Sequence, residues 1–265
     1  MRYVMTILLA VWLAAPAAAQ DVPTVYQEAV FRGSEGGELP YRIMYPEGYG
    51  SGKAFPLLVF LHGAGERGSD NRAQLAHGAK LFADSAVRKA FPAIVVFPQC
   101  PANDYWPRVE VETRADGGRQ FSFPFYEASG PSLGLVSGLI DSLLAGGRVD
   151  ADRVYLGGLS MGAMGSYELL ARRPKTFAAA MLICGGGHPQ LMGLYAPHTP
   201  LWIFHGDADN VVPPDMSRRM VRAAEALGIA VRYSEYPGVG HDSWTPAFAE
   251  PELLKWLFAQ RRSHN

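Results

Sequence analysis

The stretch Gly157-Gly158-Leu159-Ser160-Met161-Gly162 lies between an apolar run at 153–157 and a helix-length segment at 161–172. The run reads as a strand and the segment as a helix, so the G-x-S-x-G pattern at 158–162 falls on the turn that joins them. A serine on such a turn sits on a strained backbone above the strand's C-terminal end. Glycines must flank it, because a side chain there would collide with the neighbouring strand or helix. The helix starting at Met161 aims its free N–H groups and positive dipole end at charge forming near Ser160. The pattern predicts a nucleophile; the alternative is a glycine-rich strand-to-helix turn with an incidental serine.

Working outward, the runs at 55–61, 93–97, 178–184 and 200–204 are also continuously apolar and bounded by turn residues. Strands buried on both faces read this way, because helices cover each side of a parallel sheet. Helix-length segments lie at 131–144, 214–227 and 251–260, and the second begins with Pro214, which a first helical turn tolerates. The start of the chain differs: strands at 25–32 and 39–45 are separated by the turn Gly33-Ser34-Glu35-Gly36-Gly37. Together these predict an α/β fold with a mostly parallel central sheet, helices on both faces and antiparallel N-terminal edge strands. Residues 101–124 break the rhythm with Trp106, mixed charges and the Gly117-Gly118 turn, and read as a surface excursion able to form a hairpin.

Met1-Arg2, the apolar run at 4–13, Pro16 and Ala17-Ala18-Ala19 have the form of a secretory signal cleaved after Ala19. The expected organisation is a signal peptide at 1–19 and one domain over 20–265, periplasmic or secreted, with no membrane association after cleavage. Hydrophobic residues make up 48% of the chain and the net charge is −1, which supports a sizeable core and no polyanion partner. There is no basic stripe, so no nucleic-acid partner is expected. Cys100 and Cys184 each end a predicted buried strand, where a free thiol behaves as a small hydrophobe, and a bridge between them is not expected.

A serine hydroxyl is a weak nucleophile at neutral pH and requires a base. Of seven histidines, His77, His188, His198 and His264 lie in loops or helices without a motif, and solvated or capping roles are expected for them. His62 and His205 end buried strands. His241, in Gly238-Val239-Gly240-His241-Asp242, follows every other element but the last helix, where a base belongs in the order serine, acid, histidine. The acid should lie between them at a strand end, and His205-Gly206-Asp207-Ala208-Asp209 offers two carboxylates that spacing alone does not separate.

Leu61-His62-Gly63-Ala64-Gly65-Glu66-Arg67-Gly68 follows the strand at 55–61 and supplies an oxyanion hole, with the backbone N–H groups of Ala64 and Met161 as donors. A phosphate loop would need a Lys-Ser/Thr that is absent. Glu66 and Arg67 are expected to form a mutual ion pair supporting this loop. Trp106 and Trp244 are expected to line the substrate pocket. No histidine or cysteine pair has metal-ligand spacing on one element, so neither a metal nor another cofactor is expected.

With Pro98-Gln99-Cys100-Pro101 and Ile183-Cys184-Gly185-Gly186-Gly187, these segments resemble the esterase and predicted-peptidase branch of the α/β-hydrolases. That branch is related to phospholipase/carboxylesterase-type enzymes, feruloyl and acetylxylan esterases and polyhydroxybutyrate depolymerase modules. The resemblance runs across nearly the whole of residues 20–265. Its H-G-x-x-D-x-x-V-P pattern places the acid on Asp209, and it implies cofactor-free ester hydrolysis through an acyl-enzyme. Small esters or acyl groups on polysaccharide are the substrates expected. The alternatives are a serine peptidase acting on short peptides and a non-catalytic binding protein that has kept the fold.

Overall fold

The computed structural model describes residues 24–113, 115 and 119–262. The expected signal peptide at 1–19, the Gly117-Gly118 turn and His264 lie outside the described residues. In chain order the strands are β1 (Gln27–Arg32), β2 (Glu38–Met44), β3 (Phe55–Leu61), β4 (Ile94–Pro98), β5 (Glu110–Thr113) and β6 (Arg119–Ser122). They continue with β7 (Val149–Leu159), β8 (Ala179–Ile183), β9 (Leu201–Gly206) and β10 (Arg232–Tyr236). The helices are α1 (Ala79–Ala83), α2 (Ser85–Ala90), α3 (Pro131–Ala145), α4 (Met161–Arg172), α5 (Met192–Tyr195), α6 (Asp215–Ala226), α7 (Trp244–Phe248) and α8 (Leu253–Ala259).

Eight strands form one sheet in the order β1-β2-β4-β3-β7-β8-β9-β10, and β5 and β6 pair separately as a hairpin. β1 with β2 and β2 with β4 are antiparallel; every later neighbour is parallel. The two-residue period of a strand sorts the core into two layers. Leu57, Val59 and Leu61 of β3, with Leu201 and Ile203 of β9, pack beneath α3, α4, α5 and α6. Leu58 and Phe60, with Trp202 and Phe204, face α1, α7 and α8 on the other side. This alternation explains why the central strands carry no polar face.

β3 and α4 have the bounds the sequence predicts, whereas β7 starts at Val149 rather than 153. Its early part is interrupted by Asp150, Asp152 and Arg153, which hides it from an apolar-run reading. The ladder registers it through Phe55 opposite Val149, with an irregularity before Leu57. The excursion contains the β5–β6 hairpin; Phe121 of β6 and Phe123 just after it pack onto Met164, Val212 and Met216. Strand order reverses at β3, so that β4 leaves on one side and β7 on the other; the crevice above such a reversal is where α/β sheets bind ligands. Among the described residues no helix is long and apolar enough to cross a membrane.

Candidate active site

Ser160 stands between β7 and α4 at φ 53° and ψ −120°, in the left-handed half of backbone space that a serine adopts only under restraint. Close packing supplies the restraint. A Cβ on Gly158 would lie 2.4 Å from the Gly162 carbonyl oxygen, and one on Gly162 would lie 1.9 Å from that of Leu61. Only hydrogen at both positions lets the first turn of α4 press onto the end of β3. The Ser160 N–H is fixed to the Ile183 carbonyl at 2.8 Å.

The structure brings the three separated segments together. His241 Nε2 is 3.0 Å from Ser160 Oγ, and His241 Nδ1 is 2.7 Å from Asp209 Oδ2. The other oxygen, Oδ1, accepts the Val211 and Val212 N–H groups at 2.8 and 3.0 Å. Asp209 has no exposed side-chain surface. Burial pushes its carboxyl up, but the hydrogen bonds from His205, His241 and Val212 outweigh this and hold it well below the usual carboxylate range. Asp207 points elsewhere: it accepts the Gly238 N–H at 2.6 Å and braces the loop that carries His241. That loop approaches β9 so closely that a Cβ on Gly206 would sit 2.2 Å from the Val239 carbonyl oxygen.

A residue to which the sequence gives no role supports the acid. His205, fully buried, sets Nε2 at 2.9 Å from the Val212 carbonyl and 3.2 Å from Asp209 Oδ2. Both partners are acceptors, so Nε2 carries a proton. Its Nδ1 lies 2.7 Å from Ser217 Oγ, which donates to the Gly185 carbonyl. The signal for this was the four-residue interval from His205 to Asp209 across one turn.

The N–H of Met161 opens α4 with no side-chain cap, so it has no partner within the helix. Ala64 opens a single 3₁₀ turn, Ala64–Glu66, just after β3, and the preceding Gly63 faces Ser160: a Cβ there would be 3.6 Å from the serine's own. Buried His62 holds this loop, donating from Nδ1 to the Gly63 carbonyl at 2.6 Å and accepting the Cys100 N–H on Nε2 at 3.0 Å. Burial holds its imidazole down to about 4, which keeps it neutral.

Two expectations for this region are corrected. Glu66 and Arg67 do not pair. Arg67 donates to the carbonyls of Ala64, Ala102 and Asp104 and covers the Tyr105 ring, stapling the loop to the excursion. Glu66 turns the other way, to His77 Nε2 at 3.6 Å. Trp106 does not line the pocket: it is 0% exposed, donates from Nε1 to the His62 carbonyl at 3.0 Å, and fills the space above Gly165, where a Cβ would lie 2.4 Å from its own. Trp244 is partly exposed and meets the His241 ring edge-on at 5.5 Å. A groove of about 350 Å³ lined by Phe121, Phe123, His188 and Met216 opens where the hairpin segment meets α6.

Cys184, Asp209 and His241 bring potential metal-ligating atoms within 4.8 Å of one another. The carboxylate and imidazole are already bound to each other, and burial pushes the Cys184 thiol up to about 12, so its protonated form packs beside the acid. Cys100 and Cys184 are both free and buried.

A doubly wound sheet with a strained serine, an imidazole and a carboxylate in hydrogen-bonded sequence defines a serine hydrolase of the α/β-hydrolase fold. Residues 49–250 match the Phospholipase/Carboxylesterase family, and the chain belongs to it. It is 26% identical over 206 residues to acyl-protein thioesterase 1 of Debaryomyces hansenii, covering 70% of this chain and 84% of that protein. It is 25% identical over 216 residues to lysophospholipase-like protein 1 of Mus musculus, covering 77% and 85%. A solved thermostable esterase is 35% identical with a TM-score of 0.81; the match covers 91% of this chain and 64% of that one, so this chain spans under two-thirds of that esterase's length. A ferulic acid esterase at 16% identity and a TM-score of 0.60, covering 88% of this chain and 97% of that one, shares the fold. The chain is a carboxylesterase- or thioesterase-type hydrolase.

Proposed function

We propose that the protein is an exported carboxylic-ester hydrolase working through an acyl-enzyme on Ser160, with small esters or acyl groups on polysaccharide as substrates. The observation that carries the catalytic part is the unbroken chain from Ser160 Oγ to His241 at 3.0 Å and from His241 to Asp209 at 2.7 Å. Ser160 Oγ attacks the carbonyl carbon while His241 Nε2 takes its proton. The oxyanion is received by the Ala64 and Met161 N–H groups. Asp209 holds Nδ1 protonated and balances the imidazolium charge. His241 returns the proton to the departing alcohol oxygen as the C–O bond breaks. A water then repeats the attack on the acyl-serine, and Ser160 recovers its proton. No cofactor enters these steps. The apolar run at 4–13 and the three alanines at 17–19 support export.

Ser160→Ala should abolish p-nitrophenyl acetate and butyrate turnover and leave the fold intact; full residual activity ends the proposal. A screen of acetyl, butyryl, long-chain, feruloyl and hydroxybutyrate esters identifies the acid. Thioesters belong in the same screen, because relatives include acyl-protein thioesterase 1. Amide cleavage at rates comparable with esters would favour a peptidase instead. Periplasmic or extracellular recovery of a chain cleaved after Ala19 tests the export part.

A further inference from the structure

We propose that His77, oriented by Glu66 and set against Trp244, forms the leaving-group subsite and selects a hydroxylated alcohol such as a sugar ring. This rests on the esterase reading above. Because His241 Nε2 must hand its proton to the departing oxygen, the alcohol portion of the substrate leaves beside the His241 ring. What stands beside that ring is Trp244, edge-on with centroids 5.5 Å apart. The same indole also contacts His77, centroids 4.8 Å apart and tilted by 42°. A group leaving from Ser160 on the His241 side therefore meets an indole and a second imidazole.

His77 is placed there by a carboxylate. Its Nε2 lies 3.6 Å from Glu66 Oε1, and its side chain keeps 29% of its surface exposed, within reach of a ligand. With Nε2 turned to Glu66, Nδ1 has no hydrogen-bond partner among the described residues and remains free for one. Glu66 ends the oxyanion turn itself, with Oε2 buried and without a hydrogen-bond partner, while His62 Nδ1 stands 4.0 Å away. Burial works against the charge on Glu66, yet the neighbouring His77 imidazole takes its carboxyl below the usual range. Leaving a buried carboxylate oxygen unbonded opposes folding. The structure carries that burden where the carboxylate fixes the second imidazole on the leaving-group side, beside the Trp244 indole. An imidazole nitrogen beside an indole suits a ring with hydroxyl edges and C–H faces. An alkyl alcohol would use only the indole.

The test compares kcat/KM for ethyl acetate and for acetylated methyl xyloside, which share the acid and differ in the alcohol. Wild type should favour the xyloside ester. His77→Ala should reduce that preference by about tenfold, chiefly through KM, and Glu66→Gln should reduce it less, with His77→Asn intermediate. Equal loss on both esters assigns His77 a purely structural role and overturns the subsite. Wild type active on ethyl acetate but indifferent to the sugar overturns the subsite while sparing the esterase reading; no turnover of any ester removes the reading itself. A second measurement needs no folded variant. The acetyl-enzyme, attacked by an alcohol instead of water, yields an ester and free Ser160. Methyl xyloside should capture the acetyl group at concentrations roughly a hundredfold below ethanol, and equal capture contradicts the proposal.

Discussion

Replacing Asp209 with asparagine exchanges one carboxylate oxygen for an NH₂ group at a position surrounded by donors. Oδ1 accepts two backbone N–H groups, from Val211 and Val212, and Oδ2 accepts His241 Nδ1 and faces His205 Nε2 at 3.2 Å. The backbone donors cannot turn away, so the asparagine oxygen stays with them and its NH₂ confronts the two imidazoles. His241 must then move its proton to Nε2, where it donates to Ser160 Oγ and can no longer accept. The loss expected in kcat is about 10⁴, equivalent to roughly 5 kcal/mol in the barrier. Two buried charge-assisted bonds also go, which should lower stability by about 3 kcal/mol and the melting temperature by roughly 10 °C. The stability difference depends on pH in a defined sense. The folded-state carboxyl titrates below its unfolded value, so its contribution is complete above an unfolded pKa of about 3.9 and fades as pH falls toward the folded one. The stability gap between wild type and Asp209→Asn should therefore be constant above about pH 5 and begin to narrow as pH falls below about 4. Steady-state kinetics with p-nitrophenyl acetate and melts from pH 3 to 8 measure both. A variant keeping more than a tenth of wild-type kcat/KM would refute the reasoning.

The backbone at Ser160 gives a second prediction: at φ 53° a glycine is unstrained, so Ser160→Gly should melt higher than Ser160→Ala, by about 1 kcal/mol in chemical denaturation. Equal stability would show that the turn stores no strain. Gly162→Ala should fail to fold or lose 3 kcal/mol or more, since its Cβ would lie 1.9 Å from the Leu61 carbonyl oxygen; soluble, active variant protein contradicts this close packing. Trp106→Phe should cost about 1–3 kcal/mol by stranding the His62 carbonyl, measured by urea unfolding, and an unchanged midpoint would return Trp106 to the surface. Both thiols should resist a disulfide reagent at pH 8 in the native protein and react fully in denaturant, because burial pushes each up to about 12.

The sheet and its nucleophile turn were legible because their signals are local: apolar runs, a strand–turn–helix junction and glycines at fixed offsets. Pairwise choices made in space were not. Asp207 and Asp209 stand two residues apart; spacing does not separate them and the family pattern alone selects Asp209, while in space the position of the His241 loop decides which carboxylate meets Nδ1 and which meets the Gly238 N–H. Glu66 pairs with a histidine eleven positions on rather than with adjacent Arg67, because the loop after β3 folds back on itself. Trp106 enters the core because Gly165 leaves it room, a complementarity between residues fifty-nine positions apart. His205 reads in sequence as a strand-ending residue, and its support of Asp209 depends on Ser217 from α6.

The central claim is that Ser160 is the activated nucleophile. Labelling the intact protein with a fluorophosphonate and mapping the adduct by mass spectrometry tests it most directly. One label per chain, on Ser160, and none after Ser160→Ala is the predicted result. Absence of labelling, or a label on another residue, would contradict it.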